Sequence, residues 1–251
     1  MNKTFTIKII SWLLPSVVLL VILLFPDLFV ALLASAVWFG YMAYVAIVYR
    51  SQIYELLTQV FTMFSLLWLL FLVESLTLRW FLVGISLPFF FFLIWMSSEL
   101  TGMLVHIQEK PLRRIRMMIH VFNMYAGCLA LFAVNIFFPG IPFVAVAAIG
   151  GIYAAIISLL IWKLYFKVPI REFALPLLVV SVGVTELMWA LHLMPFGYLA
   201  QGLLVVWIWY ILQLLVRFHR SPRGIVWKEQ AVFLGTNAVL FISVLAFIRW
   251  V

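Results

Sequence analysis

The residues best placed to do chemistry in this chain lie between Thr185 and Gly202, which reads TELMWALHLMPFGYLAQG. Glu186 is an acidic residue inside an apolar run; His192 ends that run, Pro195 and Gly197 break it, and Gln201 lies early in the next. A carboxylate facing lipid at the centre of a membrane helix costs roughly 2.5–3.5 kcal/mol on insertion scales. Glu186 is therefore expected to face other helices or a wet cavity, where it could bind a proton or a cation. Gly183 and Ala190, three and four residues away on a helix, would allow close packing on that face. Glu74 is a second intramembrane candidate, although Arg79 follows closely enough to pair with it at a helix end. Glu186, Glu74, His192 and Gln201 make up the candidate substrate- or ion-binding set.

Other polar side chains have a plainer reading. Asn123, Asn135, Gln213 and Asn237 fall within apolar runs and are expected to act mainly as hydrogen-bonding glue between helices, at roughly 0.6 to 2 kcal/mol each. No Gly-x-Ser-x-Gly elbow, no His-Glu-x-x-His pair and no Gly-rich loop with a lysine occurs. The four histidines never fall at i,i+4, and Cys128 is alone. The expectation is a chain with no metal, no cofactor and no enzymatic activity.

The elements that must hold these residues are membrane helices. Of 251 residues, 68% are apolar and 10% charged, against roughly 45–50% and about 25% in soluble domains. The apolar runs are continuous rather than alternating, which indicates an all-α polytopic transmembrane bundle and not a barrel. Pro, Gly and charged residues divide the chain into nine expected spans at 9–25, 28–48, 56–73, 80–98, 117–138, 143–162, 173–191, 198–216 and 231–248. Lys3 and Lys8 before the first run resemble a signal peptide, but the run is too long and is interrupted by Pro26-Asp27.

Charge supports the count. With nine spans, fourteen of the sixteen Lys and Arg fall on one side, leaving only Arg79 and Arg249 on the other. By the positive-inside rule the N-terminus is cytoplasmic and the C-terminus outside, as in a bacterial-type plasma membrane. The net charge of +8 then indicates anionic lipid rather than nucleic acid. Lys110, Arg113, Arg114 and Arg116 form the densest basic stretch. They are expected to contact lipid head groups at about 1 kcal/mol each, or simply to orient the chain.

The chain reads as a single integral membrane domain, 1–251, with hints of duplication. Pro26 and Pro139 are 113 residues apart, as are Arg50 and Lys163, while Glu74 and Glu186 are 112 apart. Repeat halves 1–112 and 113–230 would each hold four spans, with one extra at 231–248. A four-span unit returns to its starting side, so such repeats would be parallel. Three functions fit in decreasing order. The first is a small secondary transporter or permease built around an intramembrane carboxylate. The second is a membrane-embedded scaffold or assembly subunit, partnered by another membrane protein or a second copy. The third, an intramembrane enzyme on lipid-linked substrate, would need a catalytic cluster that these residues do not supply.

Overall fold

The computed structural model describes residues 3–48, 53–95, 110–166, 169–220 and 227–247. Among these, nine long helices and one short 3-10 turn account for the regular structure, and no strand occurs. The helices are α1 (Lys3–Leu24), α2 (Leu28–Val48), α3 (Ile53–Leu72), α4 (Leu76–Trp95), α5 (Lys110–Phe137), α6 (Phe143–Tyr165), α7 (Ala174–His192), α8 (Tyr198–His219) and α9 (Trp227–Phe247). Each expected span overlaps one of them along most of its length, with 96–98 and 248 lying outside the described residues. Seven are long and apolar enough to cross a membrane, and α1 and α9 contribute the shorter apolar stretches Ile9–Leu24 and Gln230–Ala246. The chain is an all-helical, multi-pass membrane protein.

The largest boundary difference is at α5, which runs for 28 residues and begins at Lys110 rather than at 117. Pro111 explains the early start. In the first turn of a helix its missing N–H has no partner to lose, and its fixed φ suits the helix. The basic residues are thereby placed on a helix, where rotation about the axis gives each one a different environment. At the other hinge foreseen from sequence, Asp27 caps α2, its carboxylate accepting from the Phe29 N–H at 2.8 Å.

The chain divides into two compact units, Met1–Asn123 and Met124–Val251, with α5 contributing to each. In the first unit α1 packs most extensively on α4 and next on α2. The Ser16 and Ser86 hydroxyls hydrogen-bond at 3.0 Å, and Trp12 Nε1 donates to the Leu87 carbonyl at 3.0 Å. Ser11 and Tyr41 join α1 to α2 through their hydroxyls at 2.6 Å. Around these contacts lies a core that includes Leu19, Trp38, Met63 and Phe90.

In the second unit the closest pair is α6 with α7. Helices in lipid gain little from excluding hydrocarbon, so they depend on close backbone approach at small residues. Gly150 lies against Met188, and Gly151 against Ser181 and Thr185. Gly127 of α5 accommodates the Tyr153 ring, and Gly202 of α8 meets the Leu129 backbone. The expectation that Gly183 and Ala190 would make the tight contact is corrected here. Gly183 has only ordinary contact with Leu212, and Ala190 is exposed. The small residues that let the helices touch sit on the facing helix instead.

This packing has a direct consequence. A β-carbon at Gly151 would lie 2.5 Å from the Ser181 carbonyl oxygen, a backbone atom that cannot move aside alone. Gly151→Val should therefore destabilise the protein by about 1–3 kcal/mol, the usual cost of overpacking. Gly40→Val, at a position with open space around it, should leave the thermal midpoint in detergent nearly unchanged. Equal midpoints for the two variants would show that the α6–α7 contact is not as tight as described.

Candidate functional site

The four candidates singled out from sequence do not assemble into one site. Glu74 is exposed in the turn between α3 and α4, and Arg79 donates from Nε to the Val73 carbonyl at 2.5 Å instead of pairing with it. Glu186 is exposed on α7, whose buried face is made by Val180, Val184, Met188 and Leu191. His192 is half-buried, its ring stacked on Phe143 with centroids 3.8 Å apart. Gln201 is buried, and its amide donates to the carbonyls of Leu191 at 3.0 Å and Met194 at 3.3 Å. Those carbonyls also accept backbone N–H groups, Leu191 from Met194 and Met194 from Phe196, so Gln201 adds a side-chain tie across the Pro195–Gly197 break.

A different group of polar residues does converge, in the first unit between α3 and α5. On α3, Glu55, Gln59 and Thr62 recur at i, i+4 and i+7; on α5, Arg116, His120 and Asn123 do the same. That spacing places each trio along one stripe of its helix. The stripes meet at both ends. Arg116 Nη2 lies 2.7 Å from Glu55 Oε2, and Asn123 Nδ2 donates to Thr62 Oγ1 at 3.0 Å. Both contacts join residues 61 positions apart. The two helices thus run in parallel register, and Gln59 and His120, separated by the same interval, occupy the level between.

The seam is dry. The Arg116 side chain is 6% exposed and that of Glu55 19%, while Gln59, Thr62, His120 and Asn123 are all buried. Thr62 returns its own hydroxyl proton to the Thr58 carbonyl at 2.8 Å, as threonines inside membrane helices commonly do. His120 differs from its neighbours. It is 1% exposed, and neither ring nitrogen has a hydrogen-bond partner. A neutral imidazole carries one donor and one acceptor, and a buried polar group left unpaired costs about 1–3 kcal/mol. The seam therefore holds an imidazole with an open donor and acceptor, placed between a buried ion pair and an amide–hydroxyl contact.

The basic stretch splits according to helix rotation. Arg114 is exposed, as lipid head-group contact requires, and Arg113 is half-buried. Arg116, expected at the head groups with them, is instead buried against Glu55. The side chain of Lys110 lies outside the described residues. The second unit has a polar cluster of its own, in which Trp209 Nε1 donates to Ser158 Oγ at 3.0 Å and Gln213 also donates to that hydroxyl. Asn237 accepts from Trp207 Nε1 at 2.9 Å. These contacts act as glue. Among the described residues, no three His, Cys, Asp or Glu side chains gather as a metal site would need.

The seam escaped the reading from sequence because Glu55 looked like a helix boundary and Arg116 like one member of a charge run. The signal was the matching i, i+4, i+7 spacing of two polar trios at a constant offset. No protein-family model, curated protein sequence or solved structure matches the chain.

If the Glu55–Arg116 pair holds α3 to α5, removing one partner strands a buried charge, at a cost of about 3–5 kcal/mol. Arg116→Leu should lower thermal stability in detergent accordingly, and the exchange Glu55→Arg with Arg116→Glu should restore a large part of it. A double exchange no more stable than the single change would show that the pair does not couple the helices.

Proposed function

We propose that this protein is a small secondary transporter in which His120 handles a proton within the α3–α5 seam. The observation supporting this reading is the fully buried imidazole with both nitrogens unpartnered. An ionisable residue inside a membrane helix is rare and generally marks a substrate or proton pathway. A neutral ring can accept a proton on one nitrogen and release one from the other, which lets it pass a proton along the seam.

The surrounding residues indicate how such transfer would be coupled to motion. A proton on His120 places a second positive charge one helical turn from Arg116. Loading and unloading the ring therefore acts on the balance between Arg116 and Glu55, which lie 2.7 Å apart. Thr62 and Asn123 hold the far end of the seam in register. The reading is of a carrier, not an enzyme. It uses the topology expected from the charge bias, with the N-terminus on the cytoplasmic side of a bacterial-type plasma membrane.

Vesicles reconstituted with the purified protein and loaded with a pH-sensitive dye test the idea. Under an imposed pH gradient with the membrane potential clamped, wild-type protein should pass protons faster than His120→Gln. The expected ratio is roughly tenfold or more, equivalent to about 1.4 kcal/mol of barrier. The His120→Gln protein should keep the wild-type helical content. Equal flux from the two folded proteins would overturn the role of His120.

A further inference from the structure

The seam between α3 and α5 holds open donors at two neighbouring levels of one stripe. Arg116 turns Nη2 to Glu55, while its Nε is buried and has no partner. One turn further on, both ring nitrogens of His120 are buried and open. Positions four apart on a helix are separated by about 6 Å along its axis, so one acceptor about 3 Å from each donor spans them. Thr62, the nearest hydroxyl on the facing stripe, is already committed. It accepts from the Asn123 amide and gives its own proton to the Thr58 carbonyl.

Charge decides what that acceptor must be. Glu55 and Arg116 cancel, so with His120 neutral the seam carries no net charge. On the carrier reading, from which this inference follows, His120 takes up a proton and the seam becomes cationic. Among the described residues of the first unit, the other acids are Asp27 and Glu74, both exposed in the α1–α2 and α3–α4 turns. Glu55 is the one charged residue of α3. α4, which meets α5 where Phe89 packs on Phe122, carries only Arg79, in its first turn. Arg113, roughly 10 Å from His120 toward the start of α5, is half-buried and has an interaction of its own. An uncompensated charge in so dry a place is strongly disfavoured. Water would satisfy the open donors but not the charge; an anion does both. We infer that the seam binds a small monovalent anion, of the size of chloride, between Arg116 Nε and a ring N–H of His120, and carries it together with the proton. Loaded with both, the seam is neutral again. Loaded with either alone, it holds a net charge within hydrocarbon. The two are therefore taken up as a pair, and transport moves no net charge.

Sealed phosphatidylcholine vesicles holding the full-length protein and a pH-sensitive dye test this. The external salt is chloride or the bulkier gluconate, with equal pH on both sides. An inward chloride gradient should acidify the lumen about tenfold or more faster than gluconate does, and an imposed membrane potential should leave the rate unchanged. His120→Gln should abolish the acidification. Arg116→Lys keeps a cation beside Glu55 but removes the Nε donor. It should retain the helical content and raise the chloride concentration for half-maximal rate about tenfold, which a purely structural arginine would not do. Should that variant fail to fold, the salt comparison on the wild-type protein decides alone. Proton flux down a pH gradient that is equal in chloride and in gluconate would overturn the anion site while leaving the proton role of His120 intact. Acidification that follows the membrane potential would overturn neutral paired loading. No proton flux in either salt would overturn both readings.

Discussion

The ion pair between Glu55 and Arg116 is the contact that holds α5 against α3 in the first unit. In hydrocarbon the helices satisfy their own backbones, so association rests on side-chain packing and on the few polar groups that must find one another. Most interhelical hydrogen bonds here are hydroxyl contacts such as Ser16 with Ser86 and Ser11 with Tyr41. Contacts of that kind contribute roughly 0.6 kcal/mol each in membrane proteins. Breaking a buried ion pair costs about 3–5 kcal/mol, several times as much. The pair therefore sets the register of α5 against α3, and the Asn123–Thr62 bond two turns further on confirms it with the same offset.

The second unit is held by a different means. Its closest helices touch through Gly150 and Gly151, and its polar side chains are largely turned to closing local gaps. The Pro195–Gly197 break resembles the interrupted helices that bind ions in transporters, where open carbonyls do the binding. In this chain Gln201 already occupies the carbonyls of Leu191 and Met194. The break is thus a capped corner. The polar features most suggestive of function in the sequence and those left open in the structure lie in different helices.

How much could be read in advance follows from the same physics. The helices were legible, because long apolar runs punctuated by Pro26, Pro139 and Pro195 leave few alternatives. The depth of Glu186 was legible too, but not the direction it faces. In a soluble helix polarity distinguishes the outer side from the inner. In α7 both sides are apolar, so Val182 and Trp189 on the exposed stripe look no different in sequence from Val184 and Met188 on the buried one. Arg116 was misplaced because a run of basic residues was treated as one object. Two positions on a helix are rotated about 200° from each other, so Arg114 faces outward while Arg116 turns in toward Glu55.

A seam built only for structure would be expected to satisfy its members. Thr62 both donates and accepts, Asn123 donates, and Arg116 is paired. Other buried atoms also lack partners, among them Arg116 Nε in the same seam and the single N–H of Trp38 and of Trp162. Gln213 still uses its amide nitrogen, and Trp162 carries one N–H on a ring stacked against Phe173. Among the described residues, His120 is the side chain whose donor and acceptor are both buried and both open. Replacing it with an apolar residue of similar volume would remove an unpaired group and cost little packing. The local arrangement thus retains a group that static stability does not call for, on the stripe that carries the Glu55–Arg116 pair. On the carrier proposal, an imidazole open at both nitrogens beside a charge pair fixed in register is the feature that would separate a pathway from helix glue.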